Sequence, residues 1–259
     1  MEEFQGVAIP DYDFSGKTAI VTGGGSGIGF AVAAQLVKCG AQVVVAGVPE
    51  QQCRDAAEAI GAKAIPTDVS DEAQVNRLVS ETVRIYGKLD ILVSCAGIGG
   101  EVLPLMEQSK EELDKVLSIN LDGIFLCGKA AAKQMMEQGT GGSIVNTASI
   151  AYVEGGGFHG PYGAAKGGVV SLTKAMASEW ASSGIRVNAV CPGLTRTGIN
   201  REVQEDPELY KELTSKIPMR RMAEPSEIAA MMLFLSSDAA SFVTGSIIHV
   251  DGGATVGGQ

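Results

Sequence analysis

Two side chains four residues apart, Tyr162 and Lys166, have the types and spacing for proton transfer; they lie in the stretch SIAYVEGGGFHGPYGAAK (149–166). On a helix, positions i and i+4 share a face. A tyrosine hydroxyl with an ordinary pKa of about 10 is a poor base near neutral pH. A neighbouring ammonium favours its phenolate, and each pH unit of change is worth about 1.4 kcal/mol. Ser149, just beyond the apolar run SIVNTA, can hydrogen-bond an oxygen held in front of the tyrosine if the intervening loop folds back. A Y-x-x-x-K spacing also recurs on helices by chance, so the elements that carry these residues must decide its meaning.

Short apolar runs alternate with helical stretches along the whole chain. Strands are expected at TAIVT (18–22), QVVVA (42–46), KAIPT (63–67), ILVSCAG (91–97), SIVNTAS (143–149), RVNAVCPG (186–193) and IIHVDGG (247–253). Between them the pattern predicts a helix closed by Gly40, a polar helix over about 50–60, and one over 71–87 capped by Ser70. Ser109 and Glu112 have capping-box spacing and open a long helix reaching about residue 136. The Tyr/Lys helix spans about 161–182. Most strands are continuous apolar runs, which is the mark of a parallel sheet buried on both faces. The expected fold is α/β: a doubly wound, mainly parallel seven-stranded sheet with helices on both faces, Rossmann-like, in a single domain over 1–259. Residues 1 to about 15 read as a leader without periodicity. The polar stretch 194–224, with Pro207 and Pro218 and a short helix around 207–216, follows the C-terminal end of a strand. Ligands of open α/β sheets bind at such ends, so this stretch is a candidate substrate lid.

Composition narrows the function. The chain has 259 residues, 45% of them apolar, and a net charge of -10. That charge argues against a nucleic-acid or anionic-membrane partner. No apolar run approaches the ~20 residues of a membrane span, and the acidic start lacks the order of a signal peptide. The five cysteines, Cys39, Cys53, Cys95, Cys127 and Cys191, are odd in number and form no CxxC pair. Neither a disulfide frame nor a metal site is expected, and the chain reads as cytoplasmic.

Between the first strand and first helix lies TGGGSGIG (22–29), with spacing Gly23-x3-Gly27-x-Gly29. Glycines let the backbone approach a pyrophosphate closely, and the helix N-terminus attracts its charge. Tight turns use glycine too, but the position of this cluster at the first βαβ unit favours a dinucleotide.

Taken together, these stretches resemble the short-chain dehydrogenase/reductase family in its compact single-domain form, over about residues 15–253. The resemblance rests on TGGGSGIG, Asp68–Val69, Ala96–Gly97, Asn120 in SINLDG, Ser149, YGAAK (162–166), Pro192–Gly193, RMAEPSEIA and SFVTGSIIHVDGG. It implies that Tyr162 is the general acid/base, that Ser149 hydrogen-bonds the substrate oxygen, and that Lys166 lowers the tyrosine pKa and holds the nicotinamide ribose. Asn120 would anchor a water of a proton relay. Cofactor contacts are implied for Gly23, Ser26, Gly27, Ile28, Gly29, Gly47, Asp68, Val69, Ala96, Gly97, Asn120, Tyr162, Lys166, Pro192, Gly193, Thr195 and Thr197. From the residues alone, Asn120 reads as an ordinary helix asparagine and Asp68 as a turn-forming aspartate.

Two departures stand out. Where the family usually has NNAG, this chain has Ser94 and Cys95, so altered hydrogen bonding with retained cofactor binding is expected. At the end of the second strand, Gly47 and Val48 carry neither the aspartate of NAD-preferring members nor the cation of NADP-preferring ones, and Ser26 adds no cation before Gly27. A 2′-phosphate needs a cation, so NAD(H) is favoured and NADP(H) stays open.

The expected reaction is reversible hydride transfer between a nicotinamide cofactor and a secondary alcohol or ketone. Expected pocket residues are Ile98, Gly99, Ile150, Val153, Phe158, His159 and Leu194, a mostly apolar set that suggests an alicyclic, steroid-like or similar substrate. A 3-oxoacyl-acyl-carrier-protein reductase or a sugar/polyol dehydrogenase is the alternative. A sugar-nucleotide epimerase and a non-catalytic cofactor sensor fit less well. The resemblance also implies a homo-oligomer, a tetramer or dimer.

Overall fold

The computed structural model describes residues 12–155 and 157–256; residues 1–11 of the expected leader and Gly156 lie outside them. The end of that leader belongs to the core. Phe14 is buried and its N–H donates to the Cys39 carbonyl (2.8 Å).

Seven strands form one sheet: β1 (Thr18–Thr22), β2 (Gln42–Gly47), β3 (Lys63–Pro66), β4 (Ile91–Ser94), β5 (Gly142–Thr147), β6 (Ile185–Pro192) and β7 (Ile247–Val250). Their order is β3-β2-β1-β4-β5-β6-β7 and every pairing is parallel. The connecting helices are α1 (Gly27–Lys38), α2 (Glu50–Ile60), α3 (Glu72–Tyr86), α4 (Lys110–Leu117), α5 (Gly123–Gln138), α6 (Ala151–Glu154), α7 (Gly160–Trp180), α8 (Arg201–Glu205), α9 (Pro207–Ser215) and α10 (Pro225–Ser236).

Successive strand residues feed opposite faces. Val21, Val43, Val45, Ile91, Val93 and Val145 pack under α1, α2 and α10. Ile20, Val44, Leu92 and Ile144 pack under α3, α5 and α7. Both faces are therefore apolar, which is why the strands read as unbroken hydrophobic runs. The strand order reverses between β1 and β4, which opens a crevice at their C-terminal ends.

Several expected boundaries move, each for a local reason. β4 stops at Ser94, three residues early, because beyond Cys95 the chain turns away from the sheet and the Ala96 N–H finds the Thr22 hydroxyl instead (3.3 Å). The cap of α3 is Asp71 rather than Ser70: its carboxylate accepts from the N–H groups of Ala73 (2.9 Å) and Gln74 (3.2 Å), while Ser70 donates to Asp68. Ser109 caps α4 through the Glu112 N–H (3.0 Å), but Glu112 does not return the bond; its carboxylate accepts from the Glu101 N–H (2.9 Å). The single long helix expected over 110–136 is broken by a π-helical turn at Ser118–Asp122, with Asn120 inside it. Such turns interrupt helices mostly at functional sites.

Candidate active site

The glycine loop after β1 is shaped by close backbone approach. A Cβ on Gly23 would lie 2.6 Å from the Ala96 nitrogen, and one on Gly29 would lie 2.3 Å from the Gly23 carbonyl. Gly23 thus presses against the end of β4, and Gly29 lets α1 close on its own loop. Gly27 faces the Thr197 side chain, which arrives from the 194–224 stretch (3.2 Å to a Cβ built there). Ser26 is exposed at the N-cap of α1 and makes no side-chain cap bond; Ile28 follows it in the first turn. A backbone cradle with no side chain in it, at a helix N-terminus, fits a dinucleotide pyrophosphate.

The remaining expected cofactor residues make varied local contacts. A Cβ on Gly97 would sit 2.5 Å from Asn120 Oδ1 and 3.8 Å from Lys166 Nζ. Gly47 ends β2 with φ 154°, backbone that residues with side chains rarely adopt. Asp68 accepts from Ser70, through both its N–H (3.0 Å) and its hydroxyl (2.7 Å), as a turn-forming aspartate does. Val69 is buried in the core, where it packs against Gly123. Pro192 ends β6, and Gly193 packs on Asp251. The Thr195 hydroxyl turns back to the Gly193 carbonyl (2.9 Å), which leaves Thr197 as the threonine beside the glycine loop.

α7 carries both Tyr162 and Lys166. Lys166 is 3% exposed; its Nζ donates to the Thr147 carbonyl (2.8 Å) and stands 5.5 Å from the centre of the Tyr162 ring. Ser149 follows the end of β5. Its hydroxyl accepts from the Ala151 N–H (3.2 Å), which starts the turn into α6 and brings the chain back towards the phenol. The loop folds back as the serine reading required.

The electrostatics differ from the sequence expectation. Burial pushes the Tyr162 phenol above its ordinary value, with the Ser149 hydroxyl pulling it down. Desolvation is the largest influence on this phenol in the folded chain. The ammonium lies over the ring and bonds the Thr147 carbonyl, while the hydroxyl end is desolvated, and desolvation disfavours a phenolate. Lys166 is itself pulled down to about 8 by burial. The Cys95 and Cys191 thiols are held in the protonated form, raised by desolvation to about 11 and about 12.

Asn120 is fully buried and its amide is committed to the backbone. Nδ2 donates to the carbonyls of Ile98 (3.0 Å) and Val116 (3.1 Å), and Oδ1 accepts from the Ile98 N–H (3.1 Å). These bonds lock the π turn to the loop after β4. The altered NNAG position is also visible: Cys95 Sγ accepts from the Thr147 hydroxyl (3.2 Å), whereas the buried Ser94 hydroxyl has no partner among the described residues. Thr147, which looked like an ordinary strand residue, is the group that sequence reasoning missed. Nothing in its local pattern marks its carbonyl as the seat of Lys166. Of the expected pocket residues, Ile150 is buried while Val153 and Phe158 are exposed, and His159 borders a small cleft with Tyr152 and Gly163. His249 Nε2 meets the Tyr152 hydroxyl (3.1 Å), tying α6 to β7.

The family model described as enoyl-(acyl carrier protein) reductase matches residues 23–255. The 2,5-dichloro-2,5-cyclohexadiene-1,4-diol dehydrogenase of Sphingobium indicum is 46% identical over 246 residues, 94% of this chain and 98% of that protein. The cis-4-hydroxycyclohexanecarboxylate dehydrogenase of Sinomonas cyclohexanicum is 42% identical over 247 residues, 93% of this chain and 98% of that one. A short-chain type dehydrogenase/reductase of Mycobacterium ulcerans superposes with a TM-score of 0.91 at 36% identity, covering 94% of this chain and 91% of that structure. The chain belongs to the short-chain dehydrogenase/reductase family. It is an oxidoreductase of the alcohol dehydrogenase/ketone reductase class that uses a nicotinamide cofactor, and the acyl-carrier-protein alternative is not favoured. Among the described residues no helix is long and apolar enough to cross a membrane, and no cluster of metal-ligating side chains is present.

Proposed function

We propose that this protein is an NAD(H)-linked dehydrogenase of a secondary alcohol on a carbocyclic ring. The observation that carries the reading is Tyr162 and Lys166 on one face of α7, with Ser149 beside the phenol, at the crevice where the glycine loop lies. The bound nicotinamide ring supplies the hydride acceptor or donor. Ser149 donates a hydrogen bond to the substrate oxygen. Tyr162 moves the proton at its phenol oxygen: it gives it to a carbonyl in reduction and takes it from a hydroxyl in oxidation. General acid/base help of this kind contributes about 10²–10⁴-fold. Because burial raises the phenol, reduction meets it in the protonated form it needs. Oxidation requires a cation near the phenolate, and Lys166 is the only buried lysine or arginine among the described residues. The committed amide of Asn120 supports a role for that residue in shaping the relay path.

The two named relatives act on ring hydroxyls by their names, and the apolar Ile98, Ile150 and Leu194 suit such a ring. NAD(H) is supported by the absence of a free cation at the end of β2: Arg54, the nearest in sequence, is paired with Glu50. The φ of Gly47 also explains why no carboxylate stands there. The stretch 194–224 serves as the substrate lid; its two arms are pinched together where Leu194 and Arg196 bond Ala223. The chain works in the cytoplasm as a homo-oligomer, dimer or tetramer. Of the small residues on α7, Ala165 and Gly168 pack within the chain, whereas Ala164 is exposed and Gly167 faces open space, which suits a second copy. Light scattering tests the assembly.

The test of the reaction is a spectrophotometric screen of the purified protein with NAD and NADP against cyclic, acyclic and sugar alcohols, and with the reduced cofactors against the matching ketones. Faster turnover of cyclic secondary alcohols with NAD is expected. Turnover confined to sugars, or a preference for NADP, would overturn the substrate or the cofactor reading respectively.

A further inference from the structure

The Cys95 thiol is packed beside the active-site lysine without taking part in the proton transfer proposed above, and it stands where the family usually has asparagine. Its Sγ accepts a hydrogen bond from Thr147 Oγ1 (3.2 Å) and lies 3.9 Å from Met232 Sδ under α10. The same threonine offers its carbonyl to Lys166 Nζ (2.8 Å). Thr147 is the last residue of β5, and the Cys95 N–H still bonds the Thr22 carbonyl (3.1 Å). The thiol is therefore fixed by the sheet, and it fixes the side chain of the residue whose main chain seats the ammonium.

We propose that Cys95 and Thr147 are positioning residues for Lys166: the Thr147 hydroxyl, anchored on the Cys95 sulfur, helps to orient the carbonyl that holds the ammonium over the Tyr162 ring. The surroundings of Lys166 make this anchor matter. The groups that bear on its charge are the phenol ring of Tyr162 on its own helix, the Cys95 thiol past β4 and the Cys191 thiol on β6, with no carboxylate among them. A carboxylate would hold the lysine by charge over a broad range of positions. A carbonyl holds it by direction, and hydrogen-bond strength falls steeply with angle. The orientation of one peptide unit thus decides whether the ammonium faces the tyrosine; the Val190 carbonyl holds that unit at the Ala148 N–H (2.8 Å), and the Cys95–Thr147 bond adds a second restraint from the side chain. Inside a dry site such a chain of bonds stands or falls together.

The inference rests on the reading of Lys166 as partner of Tyr162, and the experiment separates the two. Cys95→Ala, Thr147→Val, the double variant, Cys95→Ser and Lys166→Ala are compared for kcat, KM of the alcohol, the pH profile of kcat in the oxidation direction, and thermal stability. Cys95→Ala and Thr147→Val should each lower kcat about 3–10-fold, the worth of one neutral hydrogen bond, with the alcohol KM unchanged. Each should move the acid limb of the profile to higher pH, since a misdirected ammonium stabilises the phenolate less. The double variant should lose no more than either single one, because both remove the same bond. Cys95→Ser keeps an acceptor and should stay within about twofold of wild type. If Lys166→Ala is inactive while Cys95→Ala and Thr147→Val only lower the melting temperature and leave the acid limb in place, or if their effects on kcat add, Cys95 merely fills space and the proposal fails. If Lys166→Ala itself turns over normally, the reading of the active site fails first.

Discussion

Replacing Lys166 by methionine should abolish turnover and make the protein more stable. The side chain is 3% exposed, and burial lowers its pKa from 10.5 to about 8. At about 1.4 kcal/mol per pH unit, keeping this group charged in the folded state costs about 3 kcal/mol below pH 8. Methionine fills a similar shape and carries no charge. Against this, the Thr147 carbonyl loses a bond from a charged ammonium, worth about 2 kcal/mol. The variant should therefore gain about 1 kcal/mol at pH 7, a rise of roughly 2–4 °C in melting temperature for a chain of this size. The pH dependence gives the sharper check. Because the folded value lies below the unfolded one, the unfolded chain binds the additional proton between about pH 8 and 10.5. Wild type gains stability from this group as the pH rises through that window, and the variant does not. The gap between them should be full below about pH 8 and shrink towards pH 10.5. Thermal or urea unfolding from pH 6 to 10.5 measures it. A variant less stable than wild type at pH 7, or a gap that stays constant across the window, would refute the claim that the buried ammonium is a destabilising charge kept for its chemistry.

Tyr162→Phe should remove turnover while leaving nucleotide affinity within a few-fold, since it deletes one hydroxyl from the crevice; isothermal titration with NAD alongside activity assays distinguishes the two effects. Asn120→Ala deletes three hydrogen bonds to Ile98 and Val116 that lock the π turn, and should cost about 2–4 kcal/mol of stability by urea unfolding, leaving a buried carbonyl and N–H unpaired. Gly23→Ala drives a methyl to within 2.6 Å of the Ala96 nitrogen; nucleotide binding measured by titration should fall at least tenfold, with stability lowered by about 1–3 kcal/mol.

The expected strand and helix pattern is met almost element by element, because both sheet faces are buried and a buried parallel strand has to be an apolar run between turns. The family motifs located the crevice for the same reason: glycines that must lie within a bond's reach of another backbone leave a mark in sequence. What escaped was whatever depends on a backbone group rather than a side-chain type. The π turn at Ser118–Asp122 reads as plain helix, because one extra residue in a turn changes no composition. Ser70 is the cap the sequence suggests for α3, but Asp68 engages its hydroxyl and Asp71 caps the helix instead.

The order of residue types along the chain determined the layered sheet, the tight glycine loop and the face that Tyr162 and Lys166 share, since each follows from periodicity or from the absence of a Cβ. Tertiary structure alone decided the electrostatic character of that pair. Charge stability depends on how much water is excluded and on which carbonyl lies within reach. Here the answer came from β5, where Thr147 seats the ammonium, and from the packing that raises the phenol and lowers the lysine. Desolvation is a property of everything folded around a group, so residues adjacent in sequence could not reveal it.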